Sequence, residues 1–276
     1  MTQSNNFYLI PHERVVVTGA GSGIGRAVTI ALAEVGVTVF ALGRRVSALN
    51  ETAEISASAP GRVVVIPCDA TDDKSVEAAF DSLESHGLAT GLVHAAAQMR
   101  KQSAREMSSG QFREVVTSTL FGTFSVVKRW ATPLFTNGSG GAAVLLTSNS
   151  ASRGTPGVSH SSAGKAGVEA LTKSLAREWG PYGIRLNAVG PGVFPVEKSA
   201  QAWSDPSVTA RMTEGIALGR YGVLTEIVAP IMFLLTVGAG YTTGQTLRVD
   251  GGLSLTRWSL TEEDLDEGIN NQYSAT

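Results

Sequence analysis

Residues 14–25 read RVVVTGAGSGIG, and the fold turns on how that run is divided. The β-branched half, Arg14 to Thr18, has the length and the flanking turn of a buried strand. The half from Gly19 to Gly25 is a glycine-rich turn that opens a helix. Strand, glycine turn and helix in that order let backbone amides at a helix N-terminus hold a pyrophosphate. Gly19 suits the sharp turn, Gly23 lets the backbone approach the ligand, and Gly25 allows the helix to pack closely. Ser22 and Ile24 sit at the helix entrance between them.

Outward from this run, short apolar segments alternate with longer ones of helical spacing. Segments 37–42, 62–66, 91–95, 142–147, 184–189 and 246–249 read as buried strands. Segments 24–35, 46–58, 72–85, 111–134, 161–179 and 225–236 read as helices. Parallel strands need crossovers of this length, and such a sheet must be covered on both faces. The expectation is one α/β domain over residues 1–253, a doubly wound, Rossmann-type, seven-stranded parallel sheet, with residues 254–276 as a C-terminal tail.

Composition narrows the partners. Twenty-two Lys plus Arg against 24 Asp plus Glu leave a net charge of −2 in 276 residues, which gives no electrostatic footprint for nucleic acid or an anionic membrane. The apolar stretch 227–241 is interrupted by Pro230 and is too short to span a bilayer. A single cysteine, Cys68, excludes a disulfide framework and a cysteine-based zinc site, and no metal is expected. With no secretory pattern at the start, the expected compartment is the cytoplasm.

About twenty residues past the glycine turn, where a ribose-binding acid is usual, stands Gly43-Arg44-Arg45. A carboxylate would pair with a free 2′-hydroxyl, whereas two guanidinium groups suit a 2′-phosphate through charge-assisted hydrogen bonds. NADP(H) is therefore expected over NAD(H).

Thr18–Gly25 (TGAGSGIG), Cys68-Asp69-Ala70 and Asn187-Ala188-Val189-Gly190-Pro191-Gly192 together resemble the short-chain dehydrogenase/reductase family. So do Gly219-Arg220-Tyr221-Gly222, Thr243-Gly244-Gln245 and Val249-Asp250-Gly251-Gly252 further on. The resemblance implies that Asp69 and Ala70 flank the adenine and that Ala95 and Ala96 line the cofactor. It also implies that Pro191, Gly192 and Val193 pack near the nicotinamide and that Lys165 holds the nicotinamide ribose. A homo-oligomer, tetramer or dimer, and a small-molecule substrate are implied as well.

The family's catalytic pattern is an Asn, a Ser and a Tyr-x-x-x-Lys pair. Lys165 is present, but four residues before it stands Ser161. Ser148 matches the family's serine, Thr119 stands at the Asn, His94-Ala95-Ala96-Ala97 replaces Asn-Asn-Ala-Gly, and Val196 ends the Pro-Gly-x-x-x-Thr motif. A tyrosine of pKa about 10, lowered by a neighbouring ammonium, can protonate a developing alkoxide, whereas a serine hydroxyl is a far poorer acid. Hydride addition to a conjugated C=C instead collects charge on an enolate oxygen, which fixed hydrogen-bond donors stabilise without proton transfer.

The run His160-Ser161-Ser162-Ala163-Gly164-Lys165-Ala166-Gly167 is similar to the enoyl-CoA and 2,4-dienoyl-CoA reductase branch, in which serine can replace the tyrosine. That branch implies NADPH-dependent reduction of an activated double bond, usually in an acyl thioester. His160 is a second candidate for moving a proton near neutral pH. Two alternatives stay open: a carbonyl, imine or alcohol oxidoreductase with an atypical proton donor, and a cofactor-binding cyclase or isomerase. Trp203 reads as part of a substrate lid, and Trp258 lies on the tail.

Overall fold

The structure is a computed structural model and describes residues 7–97, 101–196 and 205–255. Trp203, Trp258 and the tail from residue 256 lie outside the described residues.

In chain order the elements are β1 (Arg14–Thr18), α1 (Gly23–Glu34), β2 (Thr38–Gly43), α2 (Val46–Ile55), β3 (Arg62–Pro67), α3 (Asp73–Glu84) and β4 (Gly91–His94). Then come α4 (Ser109–Val116), a π-turn (Thr117–Phe121), α5 (Gly122–Asn137), β5 (Gly141–Leu146), the short α6 (Ser150–Arg153) and α7 (Ser159–Trp179). The chain continues with β6 (Ile184–Pro191), α8 (Pro206–Thr213), α9 (Leu224–Leu235) and β7 (Thr246–Val249). All seven strands pair in parallel, in the order β3-β2-β1-β4-β5-β6-β7. The order reverses between β1 and β4, so a crevice opens at the carboxyl ends of those two strands, where this class of sheet binds ligands.

Strand alternation divides the interior in two. Val16, Phe40, Leu92, Leu145 and Leu186 face a core closed by α3, α5 and α7, through Phe80, Trp130 and Val168 among others. Val15, Val17, Val39, Val93 and Val144 point the other way, against Leu32 of α1, Leu49 of α2 and Ile227 and Ile231 of α9. Side chains covered on both faces explain the continuous apolar strands of the sequence. No helix among the described residues is long and apolar enough to cross a membrane.

Among the differences from the sequence expectation are the short helix Ser150–Arg153 and three further details. The helix expected over 111–134 starts at Ser109, because Ser108 and Gln111 close a capping box: the Gln111 amide donates to Ser108 Oγ (3.2 Å) and the Ser108 amide to Gln111 Oε1 (2.9 Å). Its middle is wound as a π-turn, which one hydrophobic stripe cannot reveal. The helix Pro206–Thr213 was not anticipated. Asp205 caps it by accepting from the Ser207 amide (2.8 Å), with Pro206 at the first helical position.

Candidate active site

The glycine turn forms a cradle at the crevice. Gly19 and Gly23 take φ of +70° and +56°, the left-handed region that favours glycine. Gly25 is required for space: a Cβ there would lie 2.3 Å from the Gly19 carbonyl oxygen. From the facing strand end the Ala95 amide donates to the Thr18 carbonyl (3.2 Å) and the Ala96 amide to Thr18 Oγ1 (3.2 Å). Ala95 and Ala96 thus stand against the turn. Backbone approach, helix N-terminus and small neighbours together fit a dinucleotide pyrophosphate.

The charged groups meet where the adenosine end would lie. Arg45 Nη2 donates to Ser22 Oγ at 3.4 Å, which brings the α2 cap to the turn. Asp69 is partly buried, which opposes ionisation. Hydrogen bonds from the Thr71 amide (3.0 Å) and hydroxyl (2.8 Å), with the Arg44 charge, nevertheless hold its carboxyl below the usual range. Ser22, Arg44, Arg45 and Asp69 therefore gather along the ends of β1, β2 and β3, with Ala70 one residue on, where its carbonyl oxygen leaves no room for a Cβ on Gly122. Cys68 is buried, and burial with the neighbouring Asp69 raises its thiol to about 11, so it is no nucleophile.

The other end of the crevice is built on α7. Lys165 is buried, and its ammonium donates to the Leu146 carbonyl at the end of β5. Burial lowers its pKa to about 8, which leaves it mainly charged at neutral pH. Ser161 lies one turn earlier on the same helix face, also buried. Ser148 follows β5 and accepts hydrogen bonds from the Ser150 amide (3.2 Å) and hydroxyl (3.0 Å). The segment 191–196 closes over the turn: the Asn149 amide donates to the Pro191 carbonyl (3.0 Å), the Gly192 amide to Val249 (2.9 Å), and the Gly222 amide to Val193 (3.0 Å). Val196 then reaches Gly23, its Cγ1 3.4 Å from where a Cβ would be.

The two histidines separate. His94 shares a 2.9 Å hydrogen bond with Thr18 Oγ1 and is fully buried. Burial first, and the Lys165 charge second, lower its pKa to about 3, so the ring is neutral. His160 precedes Ser161 by one residue and so projects about 100° away around the helix. It shares its stripe with Gly164, which packs against Thr119: a Cβ on Gly164 would lie 3.0 Å from the Thr119 Cβ. His160 is buried on this second stripe and Thr119 is buried in the π-turn that packs against it, while Ser161 and Lys165 occupy the first. Arg248 and Glu169, 79 residues apart, carry no local sequence signal of their pairing. Arg248 Nη1 donates to the Ser148 carbonyl (2.9 Å), and Nη2 donates to Glu169 Oε2 (2.8 Å) on α7.

With the geometry in place, the comparisons fix the family. The family model described as enoyl-(acyl carrier protein) reductase matches residues 19–254. The L-rhamnose 1-dehydrogenase (NAD(P)(+)) of Azotobacter vinelandii is 34% identical over 89% of this chain and 98% of its own. The probable 2,4-dienoyl-CoA reductase of Bacillus subtilis is 32% identical over 87% of this chain and 96% of its own. Among solved structures, a gluconate 5-dehydrogenase from Burkholderia cenocepacia in complex with NADP and tartrate superposes with a TM-score of 0.85 at 26% identity, covering 92% of this chain and 99% of that one. The chain belongs to the short-chain dehydrogenase/reductase family, as an NAD(P)-dependent oxidoreductase.

Proposed function

We propose that the protein is an NADPH-dependent reductase that delivers hydride to the activated, conjugated C=C of a small organic or acyl-thioester substrate. The observation that carries this reading is Ser161, an aliphatic hydroxyl one helical turn from the buried Lys165, where the family's pattern has a phenol. NADPH is preferred because Arg44 and Arg45 stand beside Asp69 and Ser22, where a 2′-phosphate would be held.

When bound, the reduced dinucleotide supplies hydride. Gly19, Ser22, Gly23 and Ile24 would hold its pyrophosphate, Asp69 and Ala70 the adenine end, Ala95 and Ala96 the length between, and Pro191, Gly192 and Val193 the nicotinamide end. Lys165, anchored by the Leu146 carbonyl, keeps its remaining N–H groups for the ribose. Hydride addition at the substrate β-carbon pushes the alkene pair toward the carbonyl and leaves charge on an enolate oxygen. Ser148 and Ser161 donate hydrogen bonds to that oxygen, and each such donor is worth about 3–4 kcal/mol in a water-poor site. The α-carbon then takes its proton from water, with His160 and Thr119 supporting the helix stripe behind Ser161.

Loss of NADPH absorbance tests the reading across a panel of enoyl thioesters, enones, ketones and cyclic imines. Turnover confined to the conjugated alkenes is expected. Turnover confined to ketones or imines would replace it with carbonyl or imine reduction, and a broad panel with no oxidation would point to a non-redox cyclase or isomerase.

We also propose that the chain works as a homodimer or homotetramer. Phe121 and Phe124 are 61% and 41% exposed along the α4–α5 rod, an apolar face that a second copy would cover. A monomer in sedimentation equilibrium would refute this.

A further inference from the structure

Arg248 of β7 crosses the sheet. In register it pairs with Gly190 of β6, and its side chain runs over that glycine toward the end of β5. A Cβ on Gly190 would lie 2.5 Å from Arg248 Nη1 and 3.2 Å from Thr147 Oγ1, so the missing side chain is the channel through which the guanidinium passes. At the far end Nη1 donates to the Ser148 carbonyl (2.9 Å), and Nη2 donates to Glu169 Oε2 (2.8 Å). Glu169 Oε1 lies 2.7 Å from Nη1, so both carboxylate oxygens face the guanidinium as an ion pair. Arg248 and Glu169 side chains are 23% and 14% exposed, a shielding in which a two-pronged guanidinium–carboxylate pair is stronger and stiffer than at the surface.

Glu169 stands one turn beyond Lys165 on α7, on the same face. The guanidinium thus ties together the helix that carries Ser161 and Lys165 and the strand end that carries Ser148. A second arginine contact joins the segment after Ser148 to the segment after β7: Arg153 of α6 donates to the Leu253 carbonyl.

We infer that Arg248, held by Glu169, is a positioning residue that fixes the distance between Ser148 on β5 and the Ser161–Lys165 face of α7, acting on hydride transfer without touching substrate or cofactor. The inference rests on the catalytic part given to Ser148 above, but not on whether the reduced bond is C=C or C=O. Lys165 keeps its own anchor at the Leu146 carbonyl, so cofactor affinity is expected to change little when Arg248 is replaced.

A double-mutant cycle tests it, using any substrate that the wild-type protein reduces. Arg248→Met should lower kcat about 10- to 100-fold, the scale of a misplacement of about 1 Å, with the Kd for NADPH within about twofold of wild type. In a Ser148→Ala background the same substitution should change kcat by less than about twofold, since no hydroxyl is left to position. Equal losses in the two backgrounds would mean general support of the fold and would overturn the inference. Turnover of a ketone in place of an alkene would sink the C=C reading and leave the cycle intact.

Amide exchange supplies a readout independent of activity. The paired replacement Arg248→Met with Glu169→Leu removes both charges together, so neither is left buried alone. Faster exchange over residues 148–153 is expected, with Gly190→Ala behaving likewise. Unchanged exchange there in both variants would overturn the inference.

Discussion

The ammonium of Lys165 is hydrogen-bonded to the Leu146 carbonyl, two residues before Ser148 on the same strand end. That bond places a buried cation at the floor of the crevice and ties its position to β5. Lys165→Met should therefore weaken NADPH binding by about 10- to 100-fold, the worth of one charge-assisted hydrogen bond, with little change in the fold. Fluorescence titration with NADPH checks this, and unchanged affinity would remove Lys165 from the ribose site.

Because burial lowers the Lys165 pKa to about 8, cofactor affinity should fall as pH rises through that value and the ammonium is lost. The same shift has a stability consequence of opposite sense. Between about 8 and the ordinary value of 10.5 the unfolded chain binds more protons than the folded one, so Lys165 makes the apo fold more stable as pH rises. NADPH titrations from neutral to mildly alkaline pH should show weaker binding in wild type and a flat profile in Lys165→Arg.

Arg44 and Arg45 should set the choice of dinucleotide. Replacing both with Ser is expected to weaken NADPH binding about 100-fold or more while NADH binding stays within about threefold. Isothermal titration with both cofactors measures the ratio. A wild-type protein with equal affinities would show that the two guanidinium groups serve the loop alone.

Gly25→Ala should fail on packing. A methyl group 2.3 Å from the Gly19 carbonyl oxygen forces the helix away from the turn, at a cost of about 1–3 kcal/mol for overpacking. Urea denaturation should report that loss, and dinucleotide binding should go with it. Wild-type stability with intact binding would mean that the turn is looser than its geometry here.

His94 should contribute to acid lability. Its pKa of about 3, against 6.5 for an unperturbed ring, means that the unfolded chain takes up a proton first as pH falls. Stability is thus complete above about 6.5 and declines toward 3. Buried His12, lowered to about 4 by burial and by Arg185, acts in the same direction over a narrower range. Denaturation midpoints between pH 7 and pH 4 should fall less steeply in His94→Gln than in wild type, by on the order of 1–3 kcal/mol at the acid end.

What could be read before the structure depended on sequence distance. The glycine turn, the strand before it and the arginine pair after β2 lie within about thirty residues of one another, and local pattern was enough to place them. Strands β1 and β7 have the bounds expected from their β-branched runs. The Ser108–Gln111 capping box and the Asp205-Pro206 start are local signals that mark two further helix starts.

Other features leave no local trace. The π-turn at Thr117–Phe121 is a slip in hydrogen bonding that hydrophobic spacing does not record. His160 looked like a neighbour of Ser161 because it is adjacent in sequence, yet one residue along a helix is about a quarter-turn away. Arg248 meets Glu169 and Ser148 across 79 and 100 residues, and only the strand order joins them.

In the proposed reaction hydride goes to the β-carbon of a conjugated C=C and not to a carbonyl or imine carbon. Reaction of the protein with 4-deuterated NADPH and a conjugated substrate, followed by mass-spectrometric location of the label, tests it most directly. Deuterium at the β-carbon, with solvent hydrogen at the α-carbon, is the expected result. Deuterium at a carbinol or amine carbon would contradict it.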